Sequence, residues 1–411
     1  MKNITITTLI TISSTLALAH AGQFNSPNLT PVYADLVQLK KLDIPILFKD
    51  ENTGMAYTMA SAEMLNRLSN QAHNDGRCGN FEVLPKIPAI NEVAKDFKII
   101  QNQQNKNQTY ENLALKNFSV PENVKITEAV AELSANNIKE TVTWLSSYPN
   151  RYNKGADANK HVQDFYNKLK TMTASAAFPV TVDMITHRNT PQKSLRVSIQ
   201  GSTRPNEIIV LGGHYDSING WGFGNVKAPG ADDNASGSAS VLEALRVALT
   251  KTQPERTVEF MWYAGEESGL LGSAEIAESY KTAGKTVIAV LQLDMTMFAG
   301  NGANKIASMT DFTSAWLRDY LKSINETYIH VEILEDQCGY GCSDHASWFR
   351  RGYPAIMPTE AKFNSMFTGL HTERDVISPQ MSFDHALIFS KIALVMAMDL
   401  GNSTTRQPFN L

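Results

Sequence analysis

The chain is sparing with charge, with cysteine and with long apolar runs, and each scarcity excludes something. Only 19% of the 411 residues are charged, and 37 basic against 41 acidic side chains leave a net charge of −4. No run of Lys or Arg occurs anywhere. A nucleic-acid partner is excluded on that basis, because phosphate binding needs a concentrated basic surface. Beyond the first twenty-odd residues no segment has the ~20 consecutive apolar residues that a membrane span requires. There is no internal repeat. What remains, with 43% apolar residues, is an ordinary globular composition, long enough for one large domain plus a smaller one.

The N-terminus departs from this composition. Lys2 precedes an uncharged run from Ile4 to Ala19, rich in Thr and Ser, and Ala19-His20-Ala21 follows. A positive start, a short apolar centre and small residues before a cut make a secretory signal peptide over residues 1–21. Cleavage is expected after Ala21, with Ala19 second, giving an exported, soluble product with no membrane attachment. Export permits a disulfide. Of the three cysteines, Cys338 and Cys342 lie four apart in Cys-Gly-Tyr-Gly-Cys and are expected to pair, leaving Cys78 as the odd thiol.

Residues 22–110 read as a first unit with helical patches and few of the apolar runs expected of strands. The amide-rich stretch at 101–108, Gln-Asn-Gln-Gln-Asn-Lys-Asn-Gln, reads as a linker and a protease-sensitive site, or as a plain surface loop. From 111 to 403 the pattern changes, and a polar tail occupies 404–411. Apolar runs at 207–211, 257–263, 287–293 and 355–357 alternate with helical stretches, one of them carrying Val241, Leu242, Leu245, Ala248 and Leu249 on a single stripe. This is an α/β arrangement, a mostly parallel central sheet with helices on both faces.

The chemistry-bearing residues stand just past the carboxyl ends of these strands, where open α/β sheets place their ligand crevice. Gly212-Gly213-His214-Tyr215-Asp216 follows the first run, Gly265-Glu266-Glu267 the second and Asp294 the third. A glycine-bounded loop, Gly230-Ala231-Asp232-Asp233-Asn234, lies between the first two, and His371 follows later. Any one of these alone is an ordinary turn residue. Together they gather carboxylates on one edge, which repel one another unless a cation joins them. Imidazole and carboxylate donors suit zinc. Two divalent ions, three carboxylates and one hydroxide make a neutral cluster, which a partly dry cleft tolerates.

At these residues the sequence resembles the M28 family of zinc exopeptidases, in its branch of secreted bacterial leucyl-type aminopeptidases. The matching stretches are GGHYDS, APGADDNASG, YAGEESGLLGS, LQLDMT, CGYGCSDHASW and YPAIMP, with NNIKETVTWLSSYPNRY before them. They span about residues 115–400, in order. The resemblance implies a zinc-exopeptidase-type α/β fold with a smaller N-terminal prosegment or domain, and two Zn2+ per chain. It implies that His214 and Asp294 bind one metal, that Glu267 and His371 bind the other, and that Asp232 bridges them. Glu266 would be the general base, and Asp216 would orient the ring of His214. The Cys338–Cys342 disulfide would lie beside the substrate pocket.

The implied activity is removal of N-terminal residues from peptides with a free amine, by a monomer. Met295, Met309, Tyr340, Met357, Thr359, Phe363, Met366 and Leu370 match the pocket for the N-terminal side chain. Their methionine content suggests an adaptable apolar pocket that prefers Leu or Met, with basic residues as the runner-up. Residues 22–110 would be a propeptide that covers the cleft or assists folding and is clipped within 101–115, or else a permanent accessory domain. Cys78 on such a prosegment could ligate zinc and block it, although a small buried thiol is the commoner case. The rivals are another hydrolase on the same scaffold, a one-zinc cyclase-like transferase, and a binding module that has lost its metals; none of the five ligand positions is substituted here.

Overall fold

The computed structural model describes residues 29–74, 81–112, 119–220 and 222–402. The leader at 1–21, Cys78 and the tail at 404–411 lie outside the described residues.

The first unit runs β1 (Thr30–Asp35), α1 (Leu36–Lys41), β2 (Phe48–Asp50), β3 (Met55–Ala60), α2 (Ala62–Asn74), β4 (Phe81–Val83) and α3 (Ile90–Asn112). Its four strands form an antiparallel sheet in the order β2-β3-β1-β4. The sequence pattern had suggested few strands here. They were hidden because β3, Met-Ala-Tyr-Thr-Met-Ala, is buried at every position and so shows no alternation.

The amide-rich stretch at 101–108 is a second difference. It is the second half of α3, not a linker. Val93, Phe97 and Ile100, at helical spacing, bury one stripe of that helix. Beyond them the amides serve as anchors. Asn107 donates to the Thr313 carbonyl at 2.8 Å and accepts from the Ala315 amide at 2.9 Å. That satisfies an orphan N–H at the start of a helix in the second unit. Glu111 pairs with Arg318 on the same helix at 2.8 Å. Composition alone could not show that these amides had partners.

The second unit begins with α4 (Val124–Val130), α5 (Ala135–Ser146) and α6 (Lys160–Thr173), then β5 (Val180–Ile185), β6 (Ser194–Ile199) and β7 (Arg204–His214). After these come α7 (Gly237–Ala248), β8 (Arg256–Tyr263), α8 (Leu271–Thr282), β9 (Thr286–Gln292) and β10 (Lys305–Met309). The chain ends through α9 (Ala315–Ile324), β11 (Glu332–Asp336), α10 (His345–Arg350), β12 (Ala355–Ile356), β13 (Pro358–Thr359) and α11 (Phe383–Asn402). The main sheet has the order β12-β9-β7-β8-β6-β5. Its first four strands, which are the four apolar runs, pair in parallel, and β6 and β5 extend it antiparallel. A small sheet, β11-β10-β13, stands beside it.

Alternation along β7 assigns its two faces. Ile209 and Leu211 pack into a core made with α5, α6, α7 and α11. Ile208 and Val210 face the other way, into a core shared with α8, α10 and the first unit, which contributes Tyr33, Tyr57, Val93, Phe97 and Ile100. One face of the main sheet is therefore covered in part by the N-terminal unit. Among the described residues no helix is long and apolar enough to cross a membrane.

Replacing Asn107 with Ala should lower unfolding stability by about 1 kcal/mol in denaturant titration, since it removes a bond to each of two backbone groups. Limited proteolysis of the folded protein should spare residues 101–112. Rapid cleavage there would restore the linker reading.

Candidate metal centre and pocket

β7 ends at His214, β8 runs into the Glu266–Ser268 turn, and β9 leads to Asp294, so three parallel neighbours deliver their side chains to one edge. His371 arrives from the loop before α11. All of these side chains are at most 6% exposed. The Nε2 of His214 lies 3.3 Å from an Asp294 oxygen, and the Nε2 of His371 lies 3.1 Å from a Glu267 oxygen. His371 and Met295 hold positive φ angles of 55° and 56°, a left-handed backbone uncommon for such residues and concentrated at functional sites.

Asp232 is not in this group. The residue between the two histidines is Asp233, with one oxygen 3.2 Å from His214 Nε2 and the other 3.0 Å from His371 Nε2. The expectation of a bridging Asp232 is corrected accordingly. The backbone gives the reason. Within Ala231–Ser236, Asp233 and Asn234 leave helical angles (φ −104°, ψ 95° and φ −132°, ψ 49°). The helical course therefore breaks at Asp233, and its side chain does not follow that of Asp232. Asp232 turns inward, accepts from the Met297 amide at 3.0 Å, and hydrogen-bonds the buried Glu360 carboxyl. Glu360 in turn accepts from the amides of Phe298 and Phe367.

Two further residues hold that loop. The buried Asp375 carboxylate accepts from the Asp232 amide at 2.8 Å with one oxygen and from the Asp233 amide at 3.0 Å with the other. Arg151, also buried, donates to the carbonyls of Leu145, Tyr215, Pro229 and Gly230. It thereby joins the His214 strand end to the Asp233 loop. Burial, only partly offset by Asp375, brings its guanidinium down to about 10. Gly230 has a φ of 53°, and a side chain there would collide with the Asp233 carbonyl and the Arg151 guanidinium. Sequence reading missed Asp233, Arg151, Asp375 and Glu360. Arg151 sits in a quoted motif, but nothing marks Asp375, four residues past His371.

Asp216 stands behind His214, its oxygen 3.5 Å from Nδ1, and it also accepts from the Glu266 amide at 3.1 Å. Ser343 donates to Asp294 at 2.6 Å, steadied by Gln292, which reaches both Ser343 and Asp344. These contacts leave the other oxygens and nitrogens of the group pointing inward.

The donor set fits divalent cations. Three groups, His214/Asp233/Asp294, His214/Glu266/Glu267 and Asp233/Glu267/His371, each bring three donor atoms within 4.8 Å of one another. Both oxygens of the buried Glu266 carboxyl lack a hydrogen-bond partner. Burial pushes the Glu266 carboxyl well above its ordinary range and, with Asp233 beside it, Glu267 up to about 7. Asp233 is buried too, but the two imidazoles outweigh that and hold it below the usual carboxylate range. The histidines respond in kind: burial lowers both, and the carboxylates win and raise them. A divalent cation stabilises such a set as carboxylates and neutral imidazoles.

Beside this centre lies a cavity of about 230 Å³. Met295, Met309, Tyr340, Met357, Thr359, Phe363, Met366 and Leu370 all line it, with Asp294, Cys338, Cys342, Asn364, Phe367 and Thr368. The disulfide between Cys338 and Cys342 is formed. The Thr359 hydroxyl is spent on the Ala361 carbonyl at 3.0 Å. Among the described residues Asp294 is the one acidic residue in the lining. No described residue of the first unit contributes to it.

Comparison with known proteins agrees with this geometry. The model of peptidase family M28 matches residues 195–397. Leucine aminopeptidase 1 of Arthroderma otae is 37% identical over 284 residues, covering 66% of this chain and 75% of that protein. Leucine aminopeptidase 1 of Aspergillus fumigatus is 36% identical over 297 residues, covering 68% and 76%. Among solved structures, the LapA aminopeptidase of Legionella pneumophila superposes with a TM-score of 0.75 at 26% identity, over 92% of this chain and all of that one. On the family match and these relatives, the chain belongs to peptidase family M28 and is a metallo-aminopeptidase.

Proposed function

We propose that this aminopeptidase works with two zinc ions and releases an apolar N-terminal residue, Leu or Met, from peptides. His214 and Asp294 would hold one ion, Glu267 and His371 the other, and Asp233 would bridge them. The observation that carries the reading is the position of Asp233, with one oxygen toward each histidine. Bound zinc supplies Lewis acidity, which polarises the scissile carbonyl and makes a water acidic enough to attack near neutral pH.

The remaining chemistry belongs to the chain. Glu266 keeps both oxygens free of hydrogen bonds, and its backbone is fixed through Asp216. On this reading it would accept a proton from the attacking water and deliver it to the departing amine. Asp216 would fix the tautomer of His214 from behind, leaving Nε2 as the donor for a metal. The apolar cavity receives the side chain of the N-terminal residue. Four methionines give it an adaptable wall. Among the described residues its lining offers no carboxylate beyond the proposed ligand Asp294, so a Lys or Arg side chain would lose its water without gaining a counter-ion. We further propose export through the leader at 1–21, with cleavage after Ala21, and action as a monomer.

Chelation should abolish hydrolysis of Leu-p-nitroanilide, and zinc should restore it. Glu266→Ala should keep both zincs and lose roughly 10²–10⁴-fold in turnover; loss of zinc instead would mean that the roles of the two glutamates are exchanged. Metal analysis of Asp233→Asn should show depleted zinc, whereas Asp232→Asn should retain two ions per chain. The reverse result returns the bridge to Asp232. On selectivity, Leu- and Met-p-nitroanilides should exceed the Lys and Arg substrates in kcat/KM. A faster reaction with Lys or Arg would refute the apolar pocket.

A further inference from the structure

Glu82, on β4 of the first unit, is completely buried, yet among the described residues its side chain bonds to Ser347, Arg350 and Arg351 of the second unit. Arg350 reaches one of its oxygens at 2.5 Å, Arg351 pairs with the other, and the Ser347 hydroxyl lies 3.5 Å away. A carboxylate with two guanidiniums at full burial is stable only as a complete set, because removing one partner strands buried charge.

Arg350 links this set to the substrate side. Its guanidinium lies over the Phe312 ring at 4.7 Å from the centroid and packs against Gly341. Gly341 has no room for a side chain, since a Cβ would collide with that guanidinium and with Ala346. The residue stands between Tyr340 and Cys342, inside the loop closed by the disulfide, and that loop contributes Cys338, Tyr340 and Cys342 to the cavity wall. The same strand also touches the Glu266–Ser268 turn. The Val83 amide donates to the Gly269 carbonyl at 3.0 Å, and the side chains of Phe81 and Val83 close around Gly269.

We propose that Glu82 is a positioning residue of the substrate pocket, acting through Arg350 on the disulfide loop, and that the first unit is therefore retained by the working enzyme as an accessory domain. The proposal rests on the reading of the 230 Å³ cavity as the site of the N-terminal side chain. Retention is consistent with the shared core under β7 and β9, where Tyr57, Phe97 and Ile100 of the first unit meet Val210 and Val290. Cleaving the unit away would uncover that apolar surface and leave Arg350 and Arg351 without Glu82. The match to the LapA aminopeptidase, over 92% of this chain and the whole of that one, is longer than residues 111–402 alone can supply.

The test uses the full-length enzyme and the ratio of kcat/KM on Leu- and Ala-p-nitroanilide, with zinc content and Tm measured in parallel. Glu82→Gln should raise KM for the Leu substrate and shrink the Leu-to-Ala ratio by roughly tenfold, with two zincs retained, as expected when a wall shifts by a fraction of an ångström. Arg351→Lys, which disturbs the same carboxylate without touching Gly341, should lower Tm and leave the ratio unchanged. Should Glu82→Gln fail to fold, Arg350→Lys reads the same wall, and it should shrink the ratio too. Met357→Ala is the reference for the pocket itself. An unmoved ratio in folded Glu82→Gln, while Met357→Ala moves it, overturns the role of Glu82 and leaves the pocket standing. An unmoved ratio in both removes the pocket reading, and the role of Glu82 with it. Mass analysis of active wild-type enzyme should find residue 82 present; fully active protein lacking it would also overturn the proposal.

Discussion

Several carboxyl groups buried at one sheet edge repel one another, and much of the second unit is arranged to make that tolerable. Parallel strands bring His214, Glu266, Glu267 and Asp294 to one place because their carboxyl ends lie side by side. Like charges so close raise one another's proton affinity unless something positive joins them. Part of the answer is cationic, in two imidazoles and in the divalent ions that the donor set fits. Part is built from backbone. Asp375 takes two amides, Glu360 takes two more, and Asp216 takes the amide of Glu266. Each of these acids satisfies orphan N–H groups of the loops that carry the ligands, so the chain holding the centre is fixed by acids that do not take part in it.

The centre and the pocket differ in stiffness. Leading into Asp233, Arg151 holds the carbonyls of Pro229 and Gly230, and Asp375 holds the amides of Asp232 and Asp233. Such a loop has little freedom to lose when a cation binds, which favours affinity. The pocket wall is made instead of methionines, an aromatic pair (Tyr340 and Phe363) and a disulfide loop. Thioether side chains repack cheaply. The proposed metals would thus sit in a rigid frame, beside a wall able to adapt to the residue being removed.

Much of this was legible in the sequence, for physical reasons. Four apolar runs of strand length predicted the four parallel strands, because strands buried on both faces must be apolar throughout. The glycine-flanked histidine and acids at their ends pointed to the crevice. The first unit was harder. Met-Ala-Tyr-Thr-Met-Ala carries no β-branched aliphatic residue to mark it as a strand, and a helix whose last turns are Gln, Asn and Lys looks like a linker until Asn107 meets the start of α9. Glu82 and Arg350 are 268 residues apart, and no local pattern reports a pairing at that distance.

The exchange of Asp232 for Asp233 shows most clearly where local sequence stops. Two adjacent aspartates have identical chemistry and nearly identical neighbours, so composition and motif cannot choose between them. The choice is made by φ and ψ, and those angles are imposed from elsewhere. Asp375 draws both amides to one side, Arg151 draws the two preceding carbonyls toward itself, and Glu360 offers the inward side chain a partner. Under those three constraints the next side chain has one direction left, toward His214 and His371. Which aspartate lies between the two histidines is thus a tertiary property, carried by three residues that touch neither the proposed metals nor the cavity.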